Sequence, residues 1–162
     1  MSSKKITVID NTLWCNITDE KKELNINLSY LLNIKRALKK QNKKKNEKNN
    51  EKIARRSYAN QQFANVLKNF LVNYGKGDHI VFIDLKNITI SQFQKDMNYI
   101  KELIKDSQNW DFDFAKKVII KNPPFFLETI WKVVFSYLSD EIKNVTYIES
   151  SDKPYISTID HC

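Results

Sequence analysis

Val118–Leu138, VIIKNPPFFLETIWKVVFSYL, decides the fold. Val118, Ile119 and Ile120 are β-branched and read as a short strand. Asn122-Pro123-Pro124 then breaks the pattern. Proline fits a helix's first turn, where its missing N–H is not needed, so a helix is expected from Pro124. It carries two apolar stripes: Leu127, Trp131, Val134, Leu138 and Phe126, Ile130, Val133, Tyr137. Each follows the spacing of one helical face. A surface helix needs one such stripe. Two stripes demand cover on two sides, either by two layers of protein or by core on one side and an apolar ligand or membrane on the other.

The flanking sequence supplies a sheet. His79-Ile80-Val81-Phe82-Ile83-Asp84 is nearly all apolar, as in a strand covered on both faces. A helix follows, capped by Thr89 or Ser91, with Phe93, Met97, Ile100, Leu103 and Ile104 on its face. After the Val118 strand and its helix comes a turn at Ser139-Asp140-Glu141, then a last strand at Val145–Ile148. Two successive β-α-β units imply parallel strands with right-handed crossovers. The expected class is therefore α/β, a mainly parallel sheet with flanking helices. Upstream, Ile6–Ile9 and Leu13–Ile17 read as short extended pieces. Helical patterns run from near Asn27 (Leu28, Leu31, Leu32, Lys35, Leu38) and from about Ile53 to Tyr74 (Tyr58, Phe63, Val66, Leu67, Phe70, Leu71). Gly75 and Gly77, the chain's only glycines, stop the second.

At 162 residues the chain is expected to form one domain, 1–162, with a real core. No apolar run reaches the roughly 18 residues of a membrane span. The start lacks the apolar run of a signal peptide, and lipidation motifs are missing. Cys15 and Cys162 make neither a disulfide framework nor a metal pattern. These features point to the cytosol. Net charge is +8, from 27 basic and 19 acidic residues. Eleven Lys/Arg lie between Lys35 and Arg56 against Glu47 and Glu51, a local excess of nine that leaves 16 basic and 17 acidic residues elsewhere. Within it, 39–52 reads as a low-complexity Lys/Asn insert, disordered or a frayed helical extension. Three readings stand for this segment: a solvated insert, a tether to an anionic membrane using Lys43, Lys44, Lys45, Arg55 and Arg56, or a phosphate-binding patch for nucleic acid. The last is disfavoured, because no aromatic residue lies between Lys35 and Arg56 to stack a base.

Enzyme chemistry finds no motif. Neither a GxGxxG nor a P-loop is present, and His79 and His161 have no partner at catalytic or metal spacing. Asp84 ends a strand, where α/β folds place functional groups, but a turn role fits it better. Cys15 reads as a small core residue.

Ile83-Asp84-Leu85-Lys86-Asn87 with Ile88–Ser91, then Ile119–Pro124 and an aromatic-rich helix ending Tyr137-Leu138, resemble two successive blocks of the CRAL-TRIO lipid-binding domain. The resemblance covers His79–Ser151, with a loose fit upstream; 150–162 reads as a tail. Asn87 stands where the family has glycine, and Asn tolerates positive φ. Of the residues that phosphoinositide-binding members use, the acid is matched by Asp113, and the headgroup lysine falls on Asn144 beside Lys143. The resemblance implies a gate helix over a sheet floor. Leu127, Trp131 and Val134 would line an apolar pocket from the gate, with His79, Val81 and Ile83 on one floor strand and Val118 and Ile120 on the next. It implies a non-enzymatic lipid binder or carrier, peripheral on membranes, with no cofactor beyond a bound lipid. The alternative is the same fold kept as a protein-interaction or regulatory domain, its pocket filled by its own side chains.

Overall fold

A computed structural model describes residues 3–155. Six strands form one sheet in the order β1 (Lys4–Ile9), β2 (Leu13–Ile17), β3 (Lys22–Asn27), β4 (Ile80–Asp84), β5 (Lys117–Lys121), β6 (Thr146–Ile148). The first three pair antiparallel and the rest parallel. The mainly parallel α/β expectation holds, with an antiparallel meander leading into it. The strand absent from the sequence reading is β3. KELNIN offers only two apolar residues among poor strand formers, yet Leu24 and Ile26 both point into the core and β3 is the bridge between the two halves.

Helix α1 (Leu28–Gln41) starts at Asn27, whose side chain accepts from Tyr30 N–H, and α2 (Asn49–Tyr74) follows. The helices extend into 39–52 from both sides, to Gln41 and from Asn49, with a turn between them. The reason is local. Arg55 donates to Glu47 at 2.7 and 3.0 Å and to the Lys39 carbonyl at 2.6 Å, pinning the turn between the helices. Helix α3 (Ile90–Ser107) is capped by Thr89 rather than Ser91, through Gln92 N–H.

The decisive stretch differs in detail from its expectation. Helix α4 spans Leu127–Phe135 and does not begin at Pro124. Asn122 turns the chain at φ 49° and the Pro124 carbonyl accepts from Leu127 N–H, so Pro123–Phe126 forms a knuckle ahead of the helix. Its last turn tightens through bonds from Tyr137 and Leu138 three residues back. A short helix, α5 (Asp140–Val145), replaces the expected turn, capped by Ser139.

Side chains alternate across a strand. Leu13, Cys15, Leu24, Ile26, Val81 and Ile120 meet the apolar faces of α1–α4 in one core. Trp14, Ile80, Phe82, Ile119 and Tyr147 point the other way and take no part in it. Lys5, Lys117 and Lys121 lie over the Trp14, Tyr147 and Phe82 rings of that second face at 5.2, 5.1 and 5.8 Å. Tyr58, expected on the core face of α2, is exposed.

Cys15 is a core residue with no exposed surface, and burial pushes its thiol up from the ordinary range. The native side chain therefore stays protonated where the unfolded thiol ionises, so Cys15 lowers stability as pH rises through the unfolded value. In a Cys162→Ala variant, iodoacetamide is expected to leave the native chain unmodified near neutral pH and to alkylate it fully in urea, read by intact mass.

Candidate functional site

The two stripes of α4 have separate partners. Phe126, Ile130 and Val133 lie along Ile90, Phe93 and Met97 of α3, and the Tyr137 ring sits 5.3 and 5.1 Å from the ammonium groups of Lys101 and Lys105. Leu127, Trp131 and Val134 face the sheet. Between them and the sheet is a cavity of about 240 Å³, and next to it a second of about 230 Å³. Ile26, Leu67, Ile83, Leu103 and Ile104 line both, so the two spaces share a wall.

The register explains the floor. Ile26, Ile83 and Ile120 stand side by side on β3, β4 and β5, and so do Leu24, Val81 and Val118 one pleat away. Ile83, Ile120, Leu127, Trp131 and Val134 line the first cavity. His79, Val81, Ile83 and Val118 line the second. The eight residues singled out from the sequence thus fall on two adjoining spaces, not one; Trp131 shares its cavity with Ile120 but not with Val81. Every side chain around the first cavity is aliphatic or aromatic, and no charged side chain lines either.

Several lining residues escaped the sequence reading. Ile26 was lost with β3. Leu67, Leu103 and Ile104 stood on recognised helix faces and were read as core. Trp110, Phe112 and Phe114, an irregular aromatic run, border the second cavity, and the signal there was three rings within five residues.

Two polar groups are fixed at the cavities. His79 is 2% exposed, and its Nδ1 lies 2.9 Å from the Gly77 carbonyl. A carbonyl can only accept, so Nδ1 carries the proton and Nε2 is the acceptor in the neutral ring. Trp131 is 5% exposed, with Tyr155 against its ring at 5.2 Å, and its buried Nε1–H has no acceptor among the described residues. Such a group is rare in a folded protein.

At the strands' carboxyl ends, Asp84 accepts from Lys86 N–H and from Asn122 Nδ2, each at 2.9 Å. It is a turn residue, and Asn87 beside it adopts φ 68°, as its place opposite the family glycine requires. Asp113 accepts from Gly77 N–H at 2.6 Å. Its carboxylate is thus committed to the chain itself.

The basic residues divide. Lys43, Lys44, Lys45 and Arg56 are exposed around the α1–α2 turn. Arg55 is corrected as a surface contact: its side chain is 10% exposed and clamped to Glu47. Lys35 is buried against Asp96 at 2.8 Å. Among the described residues no group of three His, Cys, Asp or Glu is placed to hold a metal, and no helix is long and apolar enough to cross a membrane. Residues 156–162, with His161 and Cys162, lie outside the description.

A family model for the CRAL/TRIO domain matches residues 31–160. The chain belongs to the CRAL/TRIO family. Members are lipid-binding domains, and the first cavity lies between the sheet and α4. The crystal structure of Sfh5 is similar in fold, with a TM-score of 0.54 and 12% identity over 88% of this chain and 48% of that one. This CRAL/TRIO chain therefore spans about half the length of that protein. Among curated proteins none matches.

Proposed function

We propose that this chain takes up one hydrophobic lipid between its sheet and α4 and exchanges it at cytosolic membrane faces, without enzymatic chemistry. The observation that carries this is the apolar cavity between α4 and the sheet, with a second apolar space beside it, in a CRAL/TRIO fold. A core without a ligand role closes to native density with few voids larger than a water. Here each space is many times that size. The lining includes Trp131, a residue that would fill such a space if it were packed through. Native mass spectrometry of the chain, as isolated and after incubation with liposomes, is expected to show one bound lipid per chain. A ligand-free mass in both conditions sinks the proposal.

Two surface features support the membrane step. Phe125, on the knuckle that leads into α4, is 92% exposed and packed only edge-on against Phe126. Lys43, Lys44 and Lys45 present positive charge at the α1–α2 turn. Burying a phenylalanine in a bilayer contributes about 1.5–3 kcal/mol, and each Lys near an anionic surface about 1 kcal/mol. Phe125→Ser is expected to weaken liposome sedimentation about ten-fold at any salt, with stability within about 0.5 kcal/mol of the parent. Neutralising Lys43, Lys44 and Lys45 to Gln is expected to weaken binding to anionic liposomes only, by up to about a hundred-fold at low salt, and to shrink as salt rises. Equal binding of all three proteins removes the membrane contact.

A further inference from the structure

We infer a second binding function on the side of the sheet away from α4: single-stranded RNA stacks its bases on Trp14, Phe82 and Tyr147, and Lys5, Lys117 and Lys121 meet its phosphates. This does not rest on the lipid reading, since none of these six residues lines either cavity.

The strand register assembles the face. Thr7, Trp14, Asn25, Phe82, Ile119 and Tyr147 pair in turn across all six strands and form one rung. Residues paired in this way share a face of the sheet. Neighbouring strands lie about 4.8 Å apart, so the three rings, on alternate strands, span about 19 Å.

The face is open. Helices α1 to α5 all supply side chains to the opposite face, so no described helix is left to cover this one. Parallel strands are ordinarily covered on both faces. Here Ile80, Phe82, Ile119 and Tyr147 of the parallel half stay partly exposed.

Charge names the occupant. The ammonium groups of Lys5, Lys117 and Lys121 lie over the Trp14, Tyr147 and Phe82 rings at 5.2, 5.1 and 5.8 Å. Each ring thus has a cation beside it, the combination of stacking platform and phosphate contact that single-strand binders use. Two acids share the face. Glu23 is paired with Lys21 at 2.8 Å, and Asp84 is held by Lys86 N–H and Asn122. The charge left over is positive, which argues against a second copy of the chain, since it would bring lysine to lysine. Stacking bases on the aromatics of an open sheet is how one common RNA-binding module works. Thr7 and Asn25, in the same rung, offer a hydroxyl and an amide to a ribose 2′-OH, the group that DNA lacks. The rings missing from the basic segment around Lys43–Lys45 are therefore supplied here, on a different surface.

The test uses the full chain and fluorescence anisotropy with labelled oligouridylate of about 12 nucleotides. The comparison probes are the matching oligothymidylate, the RNA duplex with oligoadenylate, and polyglutamate. Oligouridylate is expected to bind about ten-fold tighter than the duplex or polyglutamate, and several-fold tighter than oligothymidylate. Phe82→Leu and Tyr147→Leu are each expected to weaken it about ten-fold, whereas Phe82→Tyr and Tyr147→Phe, which keep a ring, hold the parent affinity. Changing Lys5, Lys117 and Lys121 together to Gln is expected to flatten the log–log salt slope by about two. These lysines lie at the surface, so that variant gives the answer even if the leucine variants fold poorly. No binding of oligouridylate overturns the inference. So does equal binding of polyglutamate, which marks a site for any acidic chain, or of the duplex or oligothymidylate. Parent affinity in both leucine variants, or an unchanged salt slope in the lysine variant, moves the site to the basic segment and overturns it too. Lipid loading is read separately and stands or falls on its own.

Discussion

Asp96→Asn is expected to destabilise the chain by about 3–5 kcal/mol, read by urea unfolding, because it leaves a buried ammonium without its counter-charge. Lys35 is 1% exposed and its Nζ lies 2.8 Å from Asp96 Oδ1. Burial holds the Lys35 ammonium below the usual lysine range, with Asp96 pulling it back up. The Tyr99 ring lies under the same Nζ at 3.8 Å, and Tyr99 donates to the Asn60 carbonyl at 2.7 Å. Burial, helped by the Asp96 charge, pushes the Tyr99 phenol far up, so it stays a donor. One cluster thus ties α1, α2 and α3 together. Arg36 approaches Asp96 at 3.5 Å from a side chain 38% exposed, too screened to replace Lys35.

The paired change separates two accounts of that cost. Replacing both groups by apolar residues, Lys35→Met with Asp96→Leu, removes the unpaired charge along with the pair. Similar exchanges are neutral or stabilising by about 1–4 kcal/mol. The double variant is therefore expected to unfold at or above the urea midpoint of the parent, while Asp96→Asn falls well below it. If the double variant is as weak as the single one, the cluster stabilises through geometry that no apolar pair reproduces.

Lys35 also shows where sequence reading stopped. It belongs to the Lys/Arg excess and looks like one more solvated charge; only the partner 61 positions away makes it a core residue. Arg55 is the same case, with Glu47 and a backbone carbonyl as partners. Charge counts do not encode pairing between distant segments, so the excess overstates the free positive surface. The apolar elements were legible because burial on two faces leaves long apolar runs: β4, β5 and both stripes of α4 stood out. β3 did not, since its outward positions are Glu23, Asn25 and Asn27, and two inward residues are too few to show alternation. The site's floor was legible by resemblance plus strand periodicity. Its far wall on α2 and α3 was not, because a helix residue lining a cavity and one packed in core have the same spacing. The N–H of Trp131 lacking an acceptor is a property of the fold alone.

Filling the shared wall is expected to abolish lipid uptake. Ile83 stands between Ile26 and Ile120 in register and lines both cavities. Ile83→Trp places an indole in the wall that borders both spaces. Native mass spectrometry after liposome loading is expected to show at least a ten-fold fall in bound lipid, as the space beside Ile83 is filled. The sign of the stability change carries the argument further. In a close-packed core this insertion costs about 1–3 kcal/mol. Where space exists, the ring gains contacts that the cavity had forfeited, and stability is unchanged or higher. Ile119→Trp is the control, one residue along the equivalent strand but on the opposite face, outside both cavities and the core. It is expected to leave lipid loading at the parent level. Loss of lipid with retained stability in Ile83→Trp alone places the ligand between the sheet and α4. Loss of stability without prior lipid binding means that the cavities are closed in solution and that the fold serves another end.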